Sequence, residues 1–269
     1  MTKPPRNPVF LRWAGSKKQL LPSLRESMPS QFARYVEPFT GSACLFFSVQ
    51  PGHAILGDIN LELMLTYKTV RDNPTAVARE LQDLLPTKDK YYSLRNTPPD
   101  TLSEASRAAR FIFLNRLCFN GLYRTNLRGE FNVPYGGTEG GQLPSSEQLR
   151  SASRVLKFAE LKTCDFEHVL ECVIPGDFVY MDPPYSIRAR RTFREYSSQK
   201  FGDSQLAKLR RWMCHFEKRG IPFLVSYADS DEARSLSVGF KTRHVEARRN
   251  IAGFHGHRRK AVECLISNY

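Results

Sequence analysis

Long apolar runs are missing from this 269-residue chain: no stretch approaches the roughly 20 residues that a membrane span requires. The opening residues, MTKPPRNPVF, lack the apolar core of a secretion signal. The chain is therefore expected to be soluble and cytoplasmic. Cysteine is present but unorganised. The six residues, at 44, 118, 164, 172, 214 and 264, form no CxxC pair, and none lies beside a histidine at metal-ligand spacing. They are expected to pack as reduced, small hydrophobic side chains, with no metal in the protein. Internal repeats and low-complexity tracts are absent. Acid is in short supply: 27 Asp and Glu stand against 40 Lys and Arg, a net charge of +13. That excess favours an anionic partner, nucleic acid above all.

A hydrophobic content of 41% suits one large domain, or one domain carrying an inserted smaller one. FLRWAGSKKQLLPSL (10–24) reads as a basic loop entering a helix. RYVEPFTGSACLFF (34–47) reads as a strand, a Gly turn and an apolar helix, and AILGDIN (54–60) as a second strand ending at an acid. That order opens a nucleotide-binding α/β unit. Residues 61–147 read differently, as helices closed by a β-hairpin at NGLYRTNLRGEFNVPYGG (120–137). The α/β style resumes with a third strand in GDFVYMDPPY (176–185) and a helix over 203–216. Asp203 is placed to cap that helix, and Leu206, Leu209, Met213 and Phe216 form its apolar face. PFLVSY (222–227) is a further strand, and the chain ends in two strands around a basic loop, expected to pair antiparallel.

Four groups of residues point to chemistry. EPFTGS (37–42) would bring backbone N–H groups and a helix start to a cofactor, and Asp58 could accept both hydroxyls of a ribose. The plainer reading is an ordinary βαβ turn with a solvated acid. In VYMDPPYS (179–186), Asp182 and the carbonyl of Pro183 could accept both hydrogens of one amino group. That would localise a lone pair otherwise delocalised into an aromatic ring. Prolines would hold the acceptors rigid, and Tyr185 would offer a stacking face. The plainer reading is a Pro-rich loop at a strand end. Phe119, Asn120, Tyr123, Arg124, Asn126, Arg128, Phe131 and Tyr135 combine base-reading polar groups with aromatic wedges. Some of these rings would instead pack on the helix below. Finally, residues 241–260 hold seven Lys or Arg against one acid, either a phosphate-binding face or a solvated loop.

Taken in order, FLRWAGSK, EPFTGS, GDIN, NRLCFNGLYRTNLRGEFNVPYG and DPPY resemble the Dam family of DNA adenine-N6 methyltransferases, nearly end to end. The resemblance implies a class I methyltransferase fold: a Rossmann-like, seven-stranded mixed sheet in the order 3-2-1-4-5-7-6, with its last strand antiparallel. Residues 1–60 and 148–269 would form the catalytic and cofactor-binding domain, and 61–147 an inserted, mostly helical target-recognition domain carrying the hairpin. S-adenosyl-L-methionine would be the methyl donor. Trp13, Lys17, Phe39 and Gly41 would line its site, Asp58 would hold its ribose, and Asp182 would lie where cofactor and adenine meet. Asp182, Pro183, Pro184 and Tyr185 would form the pocket for a flipped adenine. Phe119 and Asn120 would invade the duplex, Arg124 would read a guanine, and Arg12 would approach a flanking base.

Three residues depart from the family pattern. Ser16 replaces the second Gly of its WAGGK, Ala43 replaces the second Gly of its cofactor motif, and Phe119 stands where tyrosine is usual. The expectation is a monomeric enzyme, free of metal, that methylates adenine N6 in double-stranded DNA, in GATC or a related short site. Methylation of cytosine N4 or of RNA adenine, or a non-catalytic DNA-binding relative, are the alternatives. The acid at 182 and the intact Lys17 and Asp58 weigh against them.

Overall fold

The computed structural model describes residues 8–126, 128–184, 201–248 and 260–269. Its strands are β1 (Arg34–Glu37), β2 (Ala54–Asp58), β3 (Ala159–Thr163), β4 (Asp177–Met181), β5 (Phe223–Ala228), β6 (Lys241–Arg248) and β7 (Lys260–Ser267). They form one seven-stranded sheet in the order β3-β2-β1-β4-β5-β7-β6. All pairs are parallel except those of β7, which runs antiparallel to β5 and β6. This is the class I methyltransferase sheet.

Alternation along the strands builds two cores. Tyr35, Leu56, Phe178, Tyr180 and Leu224 face one cluster, while Val36, Ile55, Val179, Met181 and Val225 face the other. A sheet buried on both faces needs such double-sided apolar strands. On the first face lie α1 (Leu21–Glu26), α2 (Cys44–Val49), α3 (Leu61–Asp72), α4 (Pro74–Gln82), α5 (Lys88–Asn96), α6 (Glu104–Leu117) and α7 (Ser146–Leu156). On the second lie α8 (Phe166–Leu170), α9 (Asp203–Lys218) and α10 (Asp231–Ser237). Side-chain caps start several of these helices. Asn60 accepts from Leu63 N, Ser103 from Ser106 N and Ser145 from Gln148 N.

Two details correct the sequence reading. Asp203 lies inside the first turn of α9, and Gly202 is the N-cap residue, so the acid acts on the helix dipole rather than as a cap. The strand β3 (AELKT) was not anticipated from its own residues, because it is an edge strand with only Ala159 buried. The expected apolar face of α9 is present: Leu209, Met213 and Phe216 are buried and Leu206 packs against them. The hairpin of 118–135 is held by the isolated bridges Cys118–Tyr135 and Thr125–Phe131 rather than by continuous strands. Its base is tied to the helices below: Tyr91 Oη donates to Val133 O at 2.9 Å, and Gly136 N to Leu117 O at 2.8 Å.

Candidate active site

Strand order reverses between β1 and β4, and in open α/β sheets ligands bind beyond the carboxyl ends of the strands at such a point. The turn after β1 lies there. Gly41 has φ +45°, a left-handed conformation suited to glycine. An added Cβ would also lie 2.8 Å from Trp13 Cδ1. The Gly41 amide donates to Asp58 Oδ2 at 3.0 Å, and Asn60 N donates to Asp58 Oδ1 at 3.0 Å. Both carboxylate oxygens are thus aligned by backbone, at the end of β2, beside the Gly turn. Burial raises the Asp58 carboxyl, and the backbone donors pull it down again. Tyr67 Oη from α3 donates to Gly41 O at 2.8 Å and fixes the turn from below.

The loop 12–17 closes one side. Lys17 is buried, and its ammonium donates to Asp182 Oδ1 at 2.6 Å and to Gly15 O at 3.0 Å. Asp182 directly follows β4, and its side chain is 21% exposed, open enough to meet a ligand. Burial lifts its carboxyl above the ordinary range, against the pull of Lys17 and of a hydroxyl from Ser226. Pro183 is buried and Pro184 exposed, while Tyr185 lies outside the described residues. Phe39 stacks on Phe166 with centroids 5.1 Å apart and meets Phe201 edge-on at 5.7 Å. This aromatic group and a carboxylate aligned by the backbone beside a buried Gly turn fit a nucleoside-bearing cofactor.

The departures from the family pattern have local consequences. Ser16 Oγ accepts a hydrogen bond from Ser42 Oγ at 3.0 Å, so the extra hydroxyl ties the loop to the Gly turn. Ala43 has φ +50° and ψ +33°, a left-handed conformation that L-residues adopt at a cost.

The candidate base-reading residues separate into two sets. Phe119 is 38% exposed, and Asn120 beside it is left-handed at φ +56°. Both lie in the turn after α6, where Phe119 N donates to Pro134 O at 2.9 Å. Arg124 is oriented through its Nε, which donates to Asn132 Oδ1 at 2.7 Å. One nitrogen of the fork also donates to Asn132 O at 3.5 Å, so Asn132 holds the guanidinium at two points. Arg128 is exposed. By contrast, Asn126 is engaged within the hairpin turn. It accepts from Arg128 N and Glu130 N at 2.9 and 3.0 Å, and it donates to Glu130 Oε2. Tyr123 stacks on Trp13 (5.7 Å, 17°) and packs on Phe111 and Phe131. Tyr135 packs on Tyr91. Arg12 is clamped through its backbone: Asn115 Oδ1 accepts from its N at 2.8 Å, and Asn115 Nδ2 donates to its O at 2.7 Å. Gly121 lies against it, since a Cβ there would come within 2.7 Å of Arg12 Cβ. The hairpin and the loop 12–17 are therefore in direct contact. A cleft of about 520 Å³ between α5, α6 and the hairpin is lined by Arg95, Arg110, Tyr123, Asn126, Arg128 and Asn132.

Several site residues escaped the sequence reading. Glu37, at the end of β1, is buried and accepts from Tyr35 Oη at 2.8 Å; burial pushes its carboxyl well up. Its place in EPFTGS was the available signal. Ser226 and Asn115 are single polar residues inside apolar runs, and Phe166 is an apolar residue between two acids; none gave a signal. Asp229, His244 and Cys264 bring three potential ligand atoms within 4.8 Å of one another, with Cys264 in the core beneath α8, α9 and α10. Among the described residues, no helix is long and apolar enough to cross a membrane.

Known proteins agree with this geometry. A family model described as D12 class N6 adenine-specific DNA methyltransferase matches residues 13–251. The chain is 36% identical to the type II methyltransferase M.MjaIII of Methanocaldococcus jannaschii, over 97% of this chain and 98% of that protein. It is 33% identical to the type II methyltransferase M1.LlaDCHI of Lactococcus lactis subsp. cremoris, over 97% and 95%. It is also 33% identical to the DNA adenine methylase of Escherichia coli K12, again over 97% and 95%. With the strand order, the acid after β2 and the DPP at the end of β4 already in place, the chain belongs to the D12 class of N6 adenine-specific DNA methyltransferases.

Proposed function

We propose that this enzyme takes S-adenosyl-L-methionine as donor and methylates a flipped adenine in double-stranded DNA, within GATC or a related short site. It would act as a cytoplasmic monomer. The observation that carries the reading is the Lys17–Asp182 pair at the carboxyl end of β4, beside the Gly41–Asp58 cradle. In this reading Asp58 holds the ribose, Phe39 and Trp13 wall the cofactor, and Gly41 gives it close access to backbone. S-adenosylmethionine, when bound, supplies an electrophilic methyl group.

The chain's own task is to present N6. Asp182 and the Pro183 carbonyl accept its two hydrogens, which draws the lone pair out of conjugation with the purine ring. Pro183 and Pro184 keep these acceptors fixed, so little reorganisation accompanies reaction. Tyr185 stacks on the extruded base. Lys17 keeps Asp182 ionised and able to accept. The proton that N6 gives up leaves a cationic nitrogen, so no strong base is needed.

Residues 61–147 act as the target-recognition insert. Phe119 and Asn120 enter the duplex and Arg124, held by Asn132, reads a guanine. Arg12, Tyr123, Asn126, Arg128 and Tyr135 support or extend that surface. The basic residues give a sequence-independent hold on phosphates, so affinity falls steeply with salt. Sequencing of modified bases in DNA from cells expressing the protein tests the site. Methylation confined to adenines of GATC is the expected result, and label in N4-methylcytosine would refute the proposal.

A further inference from the structure

Asp182 is the acceptor end of a short chain of hydroxyls. Tyr180 lies on β4 and Ser226 on the neighbouring β5, and both are buried, at 1% and 0% exposure. Tyr180 Oη and Ser226 Oγ are 2.9 Å apart, and Ser226 Oγ is 3.1 Å from Asp182 Oδ1. A serine has one hydroxyl proton, and an ionised carboxylate can only accept. Ser226 therefore donates to Asp182 and accepts from Tyr180, which sets the direction of the whole chain. Lys17 Nζ donates to the same oxygen at 2.6 Å. Among the described residues, both donors to the carboxylate converge on Oδ1 and none reaches Oδ2.

We infer that Ser226, itself oriented by Tyr180, is a positioning residue for methyl transfer. It locks the Asp182 carboxylate through Oδ1 and turns Oδ2 toward the amino group of the target base. The inference rests on the role proposed for Asp182. A carboxylate held by one donor alone can pivot about its χ2 bond. Lys17 and Ser226, approaching from a loop and from β5, remove that freedom. They also hold the charge against the acidic Glu263 from β7, while burial shifts the neighbouring Glu37, Cys44 and Tyr180 upward, toward their neutral forms. Removing the Ser226 donor should raise the pH at which Asp182 ionises.

The test is single-turnover methylation of an adenine-containing duplex with labelled S-adenosylmethionine across the pH range, for Ser226→Ala, Tyr180→Phe and Asp182→Asn. Melting and dissociation constants for DNA and cofactor are measured alongside. Ser226→Ala is expected to slow transfer about ten- to a hundredfold, the scale of a misplaced catalytic group. Its dissociation constants should change less than about threefold, and the acidic limb of its rate profile should move to higher pH. Tyr180→Phe, which keeps the ring packing, should shift both readouts in the same direction by less. A Ser226→Ala enzyme with wild-type rate overturns the inference. So does a slow one whose acidic limb has not moved, since lost packing alone would give that. If Asp182→Asn itself retains near-normal turnover, the role of Asp182 fails. If Asp182→Asn is inactive while Ser226→Ala is normal, only the role of Ser226 fails.

Discussion

Replacing Gly41 by alanine loads two costs onto the turn after β1, the proposed cofactor cradle. At φ +45° an L-residue is strained by about 1–2 kcal/mol. The new methyl would lie 2.8 Å from Trp13 Cδ1 and 3.0 Å from its Nε1, well inside contact distance. Trp13 cannot retreat cheaply, because it stacks on Tyr123 at 5.7 Å. Overpacking of this kind costs about 1–3 kcal/mol. The sum is about 2–5 kcal/mol, and at about 2–4 °C per kcal/mol for a chain of this size the melting temperature should fall by roughly 7–14 °C near the middle of that range. The same shift would disturb the Gly41 N–H bond to Asp58, so cofactor affinity should fall further than stability alone explains. Calorimetric melting and titration with S-adenosylmethionine give the two numbers. A variant within about 0.5 kcal/mol of wild type, the ordinary range for an inconsequential substitution, with unchanged cofactor affinity would refute this account of the turn.

Other substitutions probe separate parts of the structure. Arg34 and Asp177 form a two-point ion pair at the amino ends of β1 and β4, far along the strands from Asp182. Asp177→Ala should lower stability by about 2–3 kcal/mol, because it strands a half-buried guanidinium, and leave the transfer rate of the folded enzyme unchanged. Burial pushes the Glu37 carboxyl well above its ordinary range, so the folded state binds that proton more tightly than the unfolded state does. Stability should therefore fall as pH rises above the ordinary glutamate range, and Glu37→Gln should flatten that slope in melts taken from about pH 4.5 to 8. Arg124→Ala should weaken specific binding by about 1–3 kcal/mol and relax discrimination at one base pair, seen by comparing cognate and substituted duplexes.

The sheet was legible wherever a strand is buried on both faces, as in RYVE, AILGD and DFVYM, because such runs leave little room for another pattern. β3 was not, since four of its five residues reach the surface and its membership depends on pairing with β2. In the site, Asp58 and Asp182 were legible because each ends a strand beside a turn residue of restricted geometry. Ser226 and Asn115 were not. Their importance lies in what they touch across the fold, Asp182 in one case and the Arg12 backbone in the other. The hairpin shows the same limit from the opposite side. Composition marks it as a base-reading surface, but only the fold distinguishes the exposed Phe119 from Tyr123, stacked on Trp13, and Asn126, engaged in its own turn.

The most direct measurement is transfer of label from S-adenosylmethionine to duplex DNA by the wild-type enzyme and by Asp182→Ala, with DNA binding followed in parallel. The wild type should place label in N6-methyladenine, while Asp182→Ala should bind DNA nearly as well and transfer nothing. Near-normal turnover by Asp182→Ala would contradict the account.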